Sequence, residues 1–196
     1  MSFTTVMLCG VGGQGTILAA DLLAKVAAAS GLDVKLSEVH GMSQRGGRVD
    51  TVIKFGDEIF SAVTDPGMVD HLVAFEIIEG MRRLHYVKPG GRLLVNPTAV
   101  RPLPVLTGEL PVPHGLQAIL DDEGAIFIDA DELACEAGSP KSANVVLMGA
   151  LSTGLPFDEA LWHEVIVGRV PPKTVDANLV AFELGRQACM RGECAL

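Results

Sequence analysis

The run Val6-Met7-Leu8-Cys9-Gly10-Val11-Gly12-Gly13-Gln14-Gly15-Thr16-Ile17 decides the fold class. Its apolar half reads as a buried strand, which four glycines end abruptly before a helix-forming segment begins. That is the pattern of a first strand turning sharply into a helix whose N-terminal amides are open to a ligand or partner. Gly10, Gly12 and Gly15 fit G-x-G-x-x-G, a spacing that lets backbone approach a pyrophosphate. The same glycines also suit a tight turn with close packing that binds nothing.

Outward from this run, Gln14 to Ala29 predicts a helix with Leu18, Leu22, Val26 and Ala29 on one stripe. Asp21 and Lys25 make an i,i+4 pair, and Ser30-Gly31 ends the helix. Asp33 to Val39 follows as a second strand, giving a βαβ beginning. Arg48 to Phe55 alternates, with Val49, Thr51, Ile53 and Phe55 on one face and Arg48, Asp50 and Lys54 on the other. Gly56-Asp57 reads as a turn and Glu58 to Ala62 as the return arm of a β-hairpin. Asp65-Pro66 reads as the cap and first residue of a short helix.

Further strands are expected at His71–Phe75, Arg92–Asn96 and Ala125–Asp129, with helices at Glu76–Tyr86 and Leu116–Asp122. Pro97 to Pro113 holds five prolines and reads as a poorly ordered surface segment. Beyond Ala130 the chain is helical: Ser142–Ser152 is nearly all apolar, and helices at about 156–167 and 174–190 follow. The expectation is one α/β domain over 1–196: a three-layer Rossmann-like fold with a mostly parallel, mixed sheet including a hairpin, and a helical C-terminal part.

Composition agrees, since 48% of the 196 residues are hydrophobic but only 5% aromatic, a mix suited to slim helices on a sheet. A net charge of −9 argues against nucleic-acid binding. Cys9, Cys135, Cys189 and Cys194 include no Cys-x-x-Cys pair, so neither a structural zinc nor an iron–sulfur framework is indicated. Reduced thiols and no apolar run near 18 residues predict a cytoplasmic protein, neither secreted nor in a membrane.

Two stretches are candidates for binding. The first is Gly10, Gly12, Gly13, Gln14 and Gly15, with Gln14 at the mouth and Glu38 in the region where a ribose-binding acid would stand. The second is Ser43, Gln44, Arg45, Gly46 and Gly47, where Arg45 and nearby Arg48 place permanent cations beside permissive backbone. Pairing of these arginines with Glu38 or Asp50 is the plain alternative. The five histidines are scattered without metal-ligand spacing, and no serine sits in a nucleophile elbow, so no catalytic residue and no metal ligand is assigned.

Gly10 to Gly15, followed by an Ala/Leu helix and then Arg45-Gly46-Gly47, resembles the gamma subunit or domain of the 2-oxoacid:ferredoxin oxidoreductases. The string Glu38 to Gly47 is most similar to the indolepyruvate branch, where this chain is called the beta subunit. Asn144–Leu151, Val175–Asn178 and Ala181-Phe182 fit the later part of the family. The resemblance implies a subunit inactive alone. It implies a large partner carrying thiamine diphosphate, Mg2+ and iron–sulfur clusters, and oxidative decarboxylation of arylpyruvates with ferredoxin reduced and CoA as candidate co-substrate. It also implies that both candidate stretches face partner and substrate; self-association into a homodimer is compatible with it. The competing readings are a stand-alone NAD- or FAD-binding Rossmann protein using Glu38, and a scaffold whose glycine turn holds nothing.

Overall fold

The computed structural model describes residues 3–41, 47–101, 103–109, 111 and 113–193. Its strands are β1 (Phe3–Val11), β2 (Asp33–His40), β3 (Arg48–Gly56), β4 (Val69–Ala74), β5 (Val87–Val95) and β6 (Ala125–Phe127). Its helices are α1 (Thr16–Ala29), α2 (Ile77–Arg83), α3 (Leu103–Leu106), α4 (Leu116–Asp122), α5 (Ala130–Glu136), α6 (Ala143–Ser152), α7 (Glu159–Arg169) and α8 (Val175–Glu193).

The strands form one sheet in the order β2-β3-β1-β4-β5-β6. β1, β4, β5 and β6 pair in parallel, while β3 is antiparallel to both β1 and β2. Only β3 is reversed, so the mixed, mostly parallel α/β sheet forms as the sequence indicates.

The hairpin forms with a different partner. β3 pairs with β2, Asp33 opposite Gly56 and His40 opposite Val49, and the Glu58–Ala62 return arm is not a strand. The amide of Ile59 is taken by the Asp33 carboxylate at 2.8 Å, and Lys54 donates to the Val63 carbonyl. Side-chain bonds thus replace ladder bonds in this stretch. β3 also enters between β1 and β2, so the two strands of the βαβ unit are not neighbours.

Asp65-Pro66 opens a turn, not a helix. Gly67 takes φ +74° and its amide donates to the carbonyl of His85. Pro-Gly at the centre of a turn outweighs the capping signal here. The proline-rich segment is tied down at its start, because Ile77 N donates to Thr98 O and Val100 N to the Glu76 carboxylate.

Strand alternation divides the core between two faces. Val6, Leu8, Ile53, Phe55, Val73 and Leu94 meet α1 and α5–α8 on one face. Met7, Cys9, Leu72, Leu93 and Val95 meet Ile77 and Ile78 of α2 and Leu120 of α4 on the other. On α1 the buried row is Ala19, Leu22, Leu23, Val26 and Ala27; Ala29 is exposed, so the stripe is rotated from the expected one. The Asp21–Lys25 pair forms at 3.3 Å, and Arg169 of α7 also reaches Asp21.

α6 is buried from Asn144 to Ser152. It crosses α8 at Gly149 and Gly185, with the two backbones in direct contact. A Cβ on Gly149 would lie 2.0 Å from the Phe182 carbonyl oxygen, and one on Gly185 1.9 Å from that of Val146. No described helix is long and apolar enough to cross a membrane.

Candidate functional site

The glycine turn leaves β1 at the carboxyl edge of the sheet and delivers the chain into α1. Gly15 is the N-cap residue, at φ +79° and with no side-chain capping bond, and the first turn of α1 carries no acid. The first amides of a 14-residue helix therefore lack a side-chain cap. Much of the cradle is filled by the protein itself. A Cβ on Gly10 would meet the Gln14 Oε1 at 2.7 Å and Phe75 at 2.9 Å, and one on Gly15 would meet Asn144 Nδ2 at 2.6 Å.

Gln14 is the clasp of this turn. Its Oε1 accepts from Val11 N at 2.9 Å and its Nε2 donates to Phe75 O at 3.0 Å, joining the end of β1 to the end of β4. Both polar atoms of the Gln14 side chain are thus bonded to neighbouring backbone. Asn144, at the start of α6, donates to Gly15 O at 3.2 Å and holds the turn from the other side.

Beside the turn lies a cleft of about 470 Å³, lined by Gly13, Gln14, Gly15, Phe75, Asn96, Asp131 and Lys141 among others. It sits at the carboxyl ends of β1, β4 and β5, where the chain order switches direction across the sheet and open α/β folds bind ligands. Asn96 organises its floor: Nδ2 donates to Phe75 O at 3.2 Å and to Asp131 Oδ2 at 3.0 Å, while Oδ1 accepts from Ala130 N. Lys141 is exposed at the rim. The lining thus offers a cation and the Gly13–Gly15 backbone that leads into the uncapped start of α1, set against one carboxylate already engaged by Asn96. Such a lining can hold an anion, and it contains no nucleophile with an adjacent base.

The nearest thiol does not supply a nucleophile. Cys9 is fully buried in β1, and burial, reinforced by the Asp50 and Glu79 carboxylates, pushes its pKa well above the usual value. Cys9 lies in the core on the α2 face, Cys189 in the core on the opposite face, and Cys135 is exposed. These three thiols do not converge and do not fit an iron–sulfur cluster.

Of the sequence-derived candidates, Gly10, Gly13, Gln14 and Gly15 come together at or behind the cleft. Gly12 N donates to Gly47 O at 2.7 Å, so the flank of the second stretch touches the turn. Ser43, Gln44, Arg45 and Gly46 lie outside the described residues. Arg48 pairs with Asp50 at 3.1 Å, the plain alternative read from sequence. Glu38 sits on edge strand β2, opposite Thr51 of β3. With β3 intervening, it is two strand spacings, roughly 10 Å, from β1. The acid of a dinucleotide site belongs beside the first strand, so that arrangement is not built here.

Asn96, Asp131, Lys141 and Asn144 were not picked out as site residues by sequence reading. Only Asn144 stood in a motif. The others reach the cleft because strands remote in sequence end side by side. Among the described residues one group has metal-ligand chemistry, Glu159, His163 and Glu183 on α7 and α8. Arg186 pairs with Glu159 at 3.0 Å and lies 4.0 Å from Glu183, and His163 bonds Glu183 at 2.8 Å. These bonds make the group a staple between two helices.

Residues 5–188 match the family model described as pyruvate ferredoxin/flavodoxin oxidoreductase. The chain belongs to this oxidoreductase family. A family relative from Thermococcus kodakarensis, indolepyruvate oxidoreductase subunit IorB, is 41% identical over 93% of this chain and 94% of its own. The protein of the same name from Pyrococcus horikoshii is 40% identical over the same shares. In fold, the chain is similar to the gamma subunit of a keto/oxoacid ferredoxin oxidoreductase from Geobacter sulfurreducens, with a TM-score of 0.70 at 24% identity, over 96% of this chain and 99% of that one. Each of these three relatives is by name a subunit of an oxidoreductase.

Proposed function

We propose that this chain is the small subunit of a thiamine-dependent 2-oxoacid:ferredoxin oxidoreductase that oxidatively decarboxylates indolepyruvate or a related arylpyruvate. The observation that carries this reading is identity of 41% and 40%, over nearly the whole of each chain, to two indolepyruvate oxidoreductase subunits. A large partner subunit holds thiamine diphosphate, Mg2+ and the iron–sulfur clusters, and ferredoxin takes the electrons there. The chemistry the thiamine group supplies is stabilisation of the carbanion left by decarboxylation.

This chain's part is to supply one wall of a shared site. The uncapped start of α1 and Lys141 favour anionic groups, such as the phosphates of a CoA co-substrate, and Gln14 and Asn144 keep the turn fixed while they do so. Gly10–Gly15 and Ser43–Gly47 face the partner in this reading. The test is purification of the tagged chain from its native host. A cysteine-rich, thiamine-binding chain should accompany it in equimolar amount, and the pair should favour arylpyruvates over pyruvate and 2-oxoglutarate. A chain that purifies alone, or a pair that prefers an aliphatic 2-oxoacid, contradicts the reading.

A further inference from the structure

The α2 face of the sheet is only half covered. α2 packs on β1, β4 and β5, and α4 on β6. On the β2–β3 side of the same face, the segment between β3 and β4 leaves an open recess of about 340 Å³. Its floor is Met7 and Val52, its rim Val39 and Val63. Val39 is 53% exposed and Val63 is 73% exposed, and Phe60, three residues before Val63, is 80% exposed. Val39 and Val63 share one recess, and exposed apolar side chains grouped in this way mark surfaces that another protein covers.

The recess also carries unbalanced charge. Asp50 accepts two bonds from Arg83, at 3.0 and 2.7 Å, and a contact from Arg48 at 3.1 Å. Two guanidiniums on one carboxylate leave one positive charge. Neighbouring Arg82 and Glu79 neutralise each other at 2.6 Å. Arg83 is nearly buried and spent on Asp50, whereas Arg48 remains 45% exposed, the group left to meet an incoming carboxylate. The hydroxyl oxygen of Thr64, also lining the recess, is buried without a hydrogen-bond partner.

We infer that this recess is a docking surface for the large catalytic subunit, which inserts an acidic side chain beside Arg48 and covers Val39, Phe60 and Val63 with apolar groups. The inference rests on the proposed function for the existence of that partner, and adds the surface. Charge favours this occupant over a second copy of the chain. The whole molecule carries −9, so two copies repel, and two-fold pairing on this patch would bring its surplus cations together. The exposed apolar side chains come from two separate segments, Val39 from β2 and Phe60 and Val63 from the β3–β4 connection, a wider spread than a small ligand needs.

The test uses the chain and its co-purifying large subunit, with affinity measured by titration. Val63→Glu should weaken association about thirtyfold or more, as for a central interface contact. Val167→Glu, on 48%-exposed Val167 of α7 across the molecule, should leave it unchanged. Arg48→Gln should slow association and flatten its salt dependence. Equal binding by wild type and Val63→Glu overturns the surface and leaves the proposed function standing, whereas no binding by wild type overturns both. A wild-type chain that sediments as a dimer which Val63→Glu dissociates assigns the patch to self-association and overturns the inference.

Discussion

Single side chains decide whether the glycine turn keeps its shape. Gln14 accepts from the backbone amide Val11 N and shares the Phe75 carbonyl with Asn96. Replacing it by leucine keeps the bulk and removes both bonds. Leaving buried polar groups unpaired costs about 1–3 kcal/mol, so Gln14→Leu should lower the urea midpoint by a corresponding amount. An unchanged midpoint would show that the clasp is idle. His71 offers a second test at this scale. Its Nδ1 is buried without a partner, and burial, then the Arg92 cation, lowers its pKa from 6.5 to about 4. The unfolded chain therefore binds the proton more readily. The stability this group confers is complete above pH 6.5 and is lost as pH falls toward 4, by about 3 kcal/mol in all. Glu76, raised by burial, acts in the opposite direction near its own range, so the comparison must be with a variant. Denaturation of wild type and His71→Leu from pH 7.5 to 4 should show a steeper loss for wild type, whereas parallel curves would refute the assignment.

Among the elements, the crossing of α6 and α8 is the least tolerant. A methyl on Gly185 would overlap the Val146 carbonyl, which is backbone and cannot rotate away. Gly185→Ala must separate the helices, at about 3 kcal/mol or more, despite alanine's better helix propensity. Chemical denaturation measures this, and a neutral or stabilising effect would contradict the packing. The same elements show what the sequence could reveal. β1 and α1 were legible because apolar run, glycines and periodic helix are local signals. The face assignment of β3 was legible too, with Val49, Thr51, Ile53 and Phe55 on one face and Arg48, Asp50 and Lys54 on the other. The partner of β3 was not, because Gly56-Asp57 imitates a hairpin turn and Ile59 and Ala62 imitate a strand. What overrides them is Asp33, a residue 26 positions away that captures the Ile59 amide. The site was readable at its glycines for the same reason that β1 was. Asn96, Asp131 and Lys141 were hidden, since only the folded sheet brings the ends of β1, β4 and β5 together.

At the scale of the whole molecule, the proposed function makes the cleft one wall of a shared site. Lys141→Gln should leave folding and association with the large subunit intact while lowering turnover of the assembled enzyme about tenfold. Undiminished turnover would remove the cleft from the shared site. The decisive measurement is arylpyruvate-dependent reduction of ferredoxin, assayed with this chain alone, the large subunit alone, and the two recombined. Full activity should appear only in the recombined sample. Turnover by this chain alone, or by the large subunit alone at the rate of the pair, would rule out a shared site.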